Sequence, residues 1–303
     1  MSYLSKILKE VNSTQDFSLL DPLRDSSQWS EINPQDRAAL AQLFVQCGRR
    51  ELENGAIGPL PTFEIAQRLD PDNHELLLEQ ANSYASFADS IENLTCACDV
   101  VEEMKPECFY AMMTWANVKV EIGVRKQDPL YFLEANAKYE RIKEIDDFPE
   151  NEVSQFYWHW GICWHYIAKQ SGEASDFVTA LSKYREAESL GLEGPLFQND
   201  YGNALVDLAC LVSREDLLDQ ASQLYQSVVK QLPDFFEGVM NLGCTDHQLW
   251  QINKNDKYFQ SAIQCFEKGA KLNEDEAALW FKWAQLLFHA GKDQGDLELV
   301  ESF

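Results

Sequence analysis

A small residue recurs every 41 positions through the second half of the chain, at Gly161, Gly202, Gly243 and Ala284. Two further series keep that interval: Ala180, Ala221 and Ala262 lie 19 positions behind the first, and Tyr184, Tyr225 and Phe266 lie four behind those. Three series in one register are hard to obtain by chance. A period between about 20 and 50 residues marks stacked copies of one supersecondary unit, each burying its apolar face against its neighbours. The working part of such an array is its surface rather than an enclosed pocket.

Each unit reads as two amphipathic helices. Phe197, Tyr201, Leu205 and Leu208 recur at intervals of three to four, as do Leu217, Leu218, Ala221, Leu224, Tyr225 and Val228, which is the spacing of a buried helical stripe. In the intervening SRED, Ser213 is the expected cap of the second helix, with Glu215 and Asp216 in its first turn and Pro233 closing the pair. Val153 to Lys169 with Ser175 to Leu190, and Phe236 to Ile252 with Asp256 to Leu272, repeat the plan. Glycine in mid-helix costs about 1 kcal/mol relative to alanine. Gly161, Gly202 and Gly243 therefore imply a close helix contact, expected at Ala180, Ala221 and Ala262.

These residues resemble the tetratricopeptide repeat. The family's order of large apolar residue, leucine or aromatic, small residue, then alanine, aromatic, small residue and proline stands here as Gln198, Tyr201, Gly202, Ala221, Tyr225, Val228 and Pro233, with Gln198 departing from the apolar opening. Trp280, Trp283, Ala284 and Leu287 continue it, and FEKGAKLNEDEAALW from Phe266 looks like the family's inter-repeat junction. The usual unit has about 34 residues. Seven more are about two helical turns and return to nearly the same face, so each helix lengthens by a turn without losing its stripe. The resemblance implies an all-α, right-handed α-α superhelix, a solenoid of paired antiparallel helices.

Upstream the pattern loosens. Trp115, Ala116, Ala135, Tyr139 and Ile142 keep the same offset between small residue and alanine, but Ala116 to Gly161 spans 45, the surplus being placed in DDFPENEV. Leu77, Ala81, Tyr84, Leu94, Cys98, Val101 and Pro106 make a unit of almost standard length, and Phe63, Ala66, Leu69 and Pro71 resemble the end of another. Residues 34–54 read as one more helix, capped by Asn33. The expected organisation is an N-terminal capping segment or arm over 1–33, then a repeat domain over 34–303 of about six helical pairs, the first degenerate and the last incomplete.

Charge and cysteine usage narrow the function classes. With 25 basic against 50 acidic residues the formal charge is −25, which disfavours nucleic acid and anionic lipid and favours basic partners. Phe156 to Ala168 is too short for a membrane span and is interrupted by His159 and His165. Eight cysteines follow no framework spacing, and MSYLSKILKEVNS lacks a signal peptide's apolar core. Free thiols in the cytoplasm are expected, with the nucleus left open. Enzyme motifs are absent, so neither catalysis nor a cofactor is expected.

The candidate binding residues begin with Asn82, Asn117 and Asn203, each directly after the small residue of a first helix. The resemblance implies that this position faces a concave groove, where an amide can bind both N–H and C=O of an extended peptide. Solvated surface asparagines are the alternative; if the groove reading holds, replacing Asn117 or Asn203 with alanine is expected to weaken partner binding while leaving the melting temperature nearly unchanged. Met113, Tyr110, Trp158, Met240 and Phe281 are expected to line the groove beside Asp200, Asp207 and Glu237, with His165 reaching it. Such a groove suits a basic or apolar protein segment, making the chain an interaction scaffold or adaptor. The alternative is an assembly protein that oligomerises through its ends or convex face.

His159 and Cys163 are four apart on one helix face, but no further ligands are identifiable and packing is expected in place of a metal. At the other end, the same offset counted from Ala284 falls on Phe303. Trp280, Trp283 and Leu287 are then short of cover, so either a longer natural chain or self-association through the C-terminal end is expected.

Overall fold

A computed structural model describes residues 3–25, 29, 32–104, 108–145 and 148–294. Phe303 and the rest of DLELVESF, Pro106 and part of DDFPENEV lie outside the described residues. The described residues hold helices and loops and no strand. The chain divides into two compact units, Met1–Pro149 and Glu150–Phe303.

In the first unit, α1 (Tyr3–Thr14) leads through a 3-10 turn (Phe17–Leu23) to α2 (Pro34–Glu53), α3 (Pro61–Leu69), α4 (His74–Ser86), α5 (Ile91–Glu103), α6 (Phe109–Lys126) and α7 (Pro129–Ile142). α2 packs on α3, α4 on α5 and α6 on α7. Side-chain caps start several of these helices: Asn33 accepts from the Asp36 N–H, Asn73 from Leu76 and Ser90 from Asn93, each satisfying a donor that the first turn leaves without a helical partner. The amphipathic α1 buries Ile7, Leu8 and Val11, and the turn after it buries Leu20 and Leu23, in one core with α2 to α5. Arg24 fastens that segment, donating to Thr62 Oγ1 at 3.2 Å and lying 3.5 Å from Glu51.

The second unit comprises α8 (Val153–Ser171), α9 (Ala174–Ser189), α10 (Pro195–Val212), α11 (Glu215–Gln231), α12 (Phe236–Asn253), α13 (Asp256–Leu272) and α14 (Ala277–Gln294). α8 pairs with α9, α10 with α11 and α12 with α13, and α14 packs on α12 and α13. The first helices end alike. Gly172, Ser213 and Lys254, each one repeat period from the next, are all left-handed, at φ of 70°, 54° and 55°. Ser213 thus terminates α10 instead of capping α11, whose N-cap residue is Arg214; a left-handed residue lets the chain reverse while its N–H still reaches a carbonyl of the last turn.

The glycine contacts also differ from expectation. A Cβ at Gly202 would lie 2.7 Å from the Tyr225 ring, at Gly161 3.2 Å from Tyr184, and at Gly243 3.1 Å from Phe266. The space that Gly161 and Gly202 leave is filled by the aromatic from the second helix of their own pair, and at Gly243 the Cys265 Cβ, at 3.0 Å, shares it with the Phe266 ring. Ala180, Ala221 and Ala262 are fully buried, but the ring sets the approach because it is the large body between the helices.

Candidate functional site

In α10, Asp200, Asn203 and Asp207 follow one another at intervals of three and four, which places them on one helix face. Two residues of α8, themselves seven apart, meet the two carboxylates. Trp158 Nε1 donates to Asp200 Oδ2 at 3.0 Å, and His165 Nε2 lies 2.8 Å from Asp207 Oδ2. Lys169 Nζ stands 4.0 Å from the same Asp207 oxygen. Both links span one repeat plus one position, so they run between successive first helices.

Asn203 is held from two sides. Its Oδ1 accepts from the Tyr225 hydroxyl at 2.7 Å and from Asn241 Nδ2 at 3.1 Å, while Asn241 also donates to Asn199 Oδ1 at 3.0 Å. With the carbonyl oxygen engaged, the amide's orientation is fixed and its Nδ2 hydrogens are the part left to a ligand. Farther along, His247 Nε2 lies 3.1 Å from His289 Nδ1, joining α12 to α14.

Burial sets the charge states. Desolvation raises the Asp200 pKa, opposed by the Trp158 N–H, and pulls His159 down to about 4. His247 falls to about 4 through desolvation, then the nearby His289, Lys282 and Lys254. His159 stacks on Trp158 with ring centres 5.1 Å apart, and Cys163 is fully buried. No group of three or more His, Cys, Asp or Glu side chains that could hold a metal ion comes together among the described residues.

The remaining candidates scatter in exposure. In the second unit, His165 is buried, Trp158 and Met240 are half-buried, and Phe281 is 60% exposed. In the first unit, Met113 is buried, Tyr110 is exposed, and the exposed Asn82 accepts from Thr114 Oγ1 at 2.9 Å. Asn117 is half-buried and accepts from the Tyr139 hydroxyl.

Asn117 and Asn203 therefore have a structural duty that contradicts their expected dispensability. Each anchors a tyrosine in the second helix of its own pair. The sequence carried this signal. Where the asparagine position is Cys244, the aromatic is Phe266, which has no hydroxyl. Where it is Ile162, Tyr184 keeps a buried hydroxyl with no hydrogen-bond partner among the described residues.

No protein-family model matches the sequence, and no curated protein matches it. Among solved structures, the C-terminal part of a tetratricopeptide-repeat protein from Cytophaga hutchinsonii is similar at a TM-score of 0.50 and 10% identity, over 92% of this chain and 98% of that one. YrrB, a tetratricopeptide-repeat protein with an unusual peptide-binding site, is similar at 0.43 and 18%, over 76% and 97%. A human IFIT1 dimer with PPP-AAAA is similar at 0.44 and 14%, over 98% and 72%. The paired helices and the first of these likenesses show a tetratricopeptide-like, all-α repeat fold.

Proposed function

We propose that this chain is a protein-interaction scaffold whose second unit binds an extended basic segment of a partner on the face carried by α8, α10 and α12. The observation that carries the reading is the row Asp200, Asn203, Asp207, in which two oriented carboxylates flank an amide fixed by Tyr225 and Asn241. Lysine or arginine side chains pair with the carboxylates, and Asn203 Nδ2 donates to a main-chain carbonyl. Trp158, Met240 and the exposed Phe281 offer apolar contact beside them. The charge of −25 steers basic segments in and opposes phosphate backbones.

In the same reading residues 1–33 cap the first unit, since Ile7, Val11 and Leu20 fill its core. Among the described residues none of the eight cysteines is in a disulfide, which supports a reducing compartment such as the cytoplasm. Among the described residues no helix is long and apolar enough to cross a membrane.

Binding of a lysine- and arginine-rich peptide, an acidic peptide of equal length and a 5′-triphosphorylated RNA should be compared on the intact chain. The basic peptide should bind alone, with an on-rate that falls as salt shortens the field's reach to about 8 Å. Asn203→Asp keeps an acceptor for Tyr225 while removing the amide donor. It should weaken binding several-fold despite the added negative charge, whereas attraction by charge alone would tighten it. Preference for the RNA or the acidic peptide overturns the reading.

A second reading has its own observation. α14 exposes Trp280, Phe281 and Phe288 at 44%, 60% and 46%, an apolar face suited to self-association through that end. A concentration-independent monomer by light scattering removes it.

A further inference from the structure

We propose that the junction of α11, α12 and α13 is a proton-operated hinge, closed when the Asp246 carboxyl is protonated and loosened when it is ionised. The inference concerns the fold of the second unit and stands whether or not the α10 face binds a basic segment.

Asp246, on α12, is fully buried. Ser222 of α11, also buried, donates to its Oδ1 at 2.6 Å, and Gln226 Nε2 donates to Ser222 Oγ at 3.2 Å. The other carboxyl oxygen, Oδ2, has no hydrogen-bond partner among the described residues. One repeat earlier the same two positions are Leu181 and Leu205, both buried in one apolar core, and one repeat later they are Ile263 and Leu287. A hydroxyl and a carboxyl thus replace an apolar pair at one junction of the stack. The apolar core divides there as well. Val239, Leu242 and Leu249 of α12 share a core with α8 to α11, whereas Trp250 of α12, Ala262 and Phe266 of α13 and Leu279 and Leu286 of α14 form another.

Ionisation creates a conflict at this point. A carboxylate taken out of water with one oxygen unpaired is costly, and water reaches Oδ2 only when the helices part. The protonated acid keeps the Ser222 bond and carries no charge, so the closed junction holds the proton more tightly than the open one. The charges acting on Asp246 come from α11 and α13: Asp219, which accepts from the Tyr258 hydroxyl at 2.6 Å, and Lys257. Tyr258 and Cys265, also near it on α13, stay neutral, their pKa values pushed up to about 12 by the Asp219 bond and by burial respectively. Desolvation raises the Asp246 pKa, Ser222, Ser261 and Lys257 oppose it, and Asp219 adds to it. Closure is therefore most stable below the ordinary carboxylate value and weakens as pH rises through the raised one. Opening of the junction changes the spacing between α10 and α12.

The test is hydrogen exchange read by mass spectrometry on the full chain, comparing the parent with Asp246→Asn at equal pH so that intrinsic exchange cancels. At about pH 8, peptides from α11, α12 and α13 should exchange several-fold faster in the parent, and at about pH 4 the two chains should agree. Peptides from α8 and α9 should match at both. Ser222→Leu with Asp246→Leu restores the pair found one repeat earlier and should abolish the pH dependence at the junction. A pH-independent ratio between parent and Asp246→Asn, or an equal change in α8 and α9, overturns the proposal. Should a variant fail to fold, the parent alone decides it: exchange in α11 to α13 relative to α8 and α9 should rise several-fold over the same pH range, and a constant ratio overturns the hinge.

Discussion

Gly202 in the second unit and Gly123 in the first both lie under an aromatic ring, and a Cβ at either would come within 2.7 Å of it. For Gly202 the ring is Tyr225, well along α11, and for Gly123 it is Phe132, in the first turn of α7. Their helices explain the difference. α10 carries small residues seven apart at Gly202 and Ala209, and α6 carries them at Ala116 and Gly123. Seven residues are about two turns, so each helix has two notches on one face. The second unit places glycine in the mid-helix notch, and the first places it near the turn. α2 follows the first unit's pattern with Ala41 and Gly48, the latter under Phe63, and α8 follows the second unit's with Gly161 and Ala168. At Gly48, Gly123, Gly161 and Gly202 the glycine marks where a ring approaches closest, and a visible period arises where successive pairs choose the same notch.

The largest expected effect tests that statement. Gly202→Ala and Gly123→Ala each drive a methyl into a buried ring and should destabilise by about 1–3 kcal/mol. Gly161→Ala meets Tyr184 at 3.2 Å, and the gain of about 1 kcal/mol in helix propensity should offset most of the strain. Urea unfolding of the three variants measures this; equal costs at Gly161 and Gly202 would break the comparison.

A smaller effect separates neighbouring pairs inside the second unit. Tyr225→Phe removes a hydroxyl bonded to Asn203 and should cost about 1 kcal/mol, with Tyr139→Phe similar through Asn117. Tyr184→Phe removes a buried hydroxyl that has no partner among the described residues, and should be neutral or stabilising. Ile162→Asn should reverse the sign of the Tyr184→Phe effect by supplying the acceptor. A double-mutant cycle on thermal unfolding reads it directly.

The smallest effect concerns the helix ends. Lys254 holds the left-handed position that Gly172 occupies two repeats earlier. Lys254→Gly should stabilise by up to about 1 kcal/mol, the left-handed strain it relieves less the entropy glycine adds to the unfolded chain. No change, or a loss, would mean that the lysine's contact over Trp250 at 4.6 Å outweighs the strain.

Much of this was legible from residues alone, and what escaped has a common cause. Helix pairing in the second unit follows from the apolar stripes of Phe197 to Leu208 and Leu217 to Val228, because period and amphipathicity are local properties of a chain. The turn at Ser213 was misread because serine serves both as an N-cap and as a left-handed C-terminal residue, and only the backbone path distinguishes them. The row Asp200, Asn203, Asp207 is readable as one helix face. Its partners Trp158, His165 and Asn241 each lie about one repeat away along the chain, a separation that becomes contact only when helices stack.

The sequence by itself determined a helical repeat, its period, its paired stripes and its excess of acid, since each is written in spacing or composition. Tertiary structure decided which atoms those features engage. It set the rings of Tyr184, Tyr225 and Phe266 against the glycines, bound Asn117 and Asn203 to tyrosines, and left Tyr184 with a buried hydroxyl that has no partner among the described residues. Periodicity fixes which face of a helix is buried, whereas hydrogen bonds and ring contacts depend on sub-ångström placement of helices that the chain brings together only on folding.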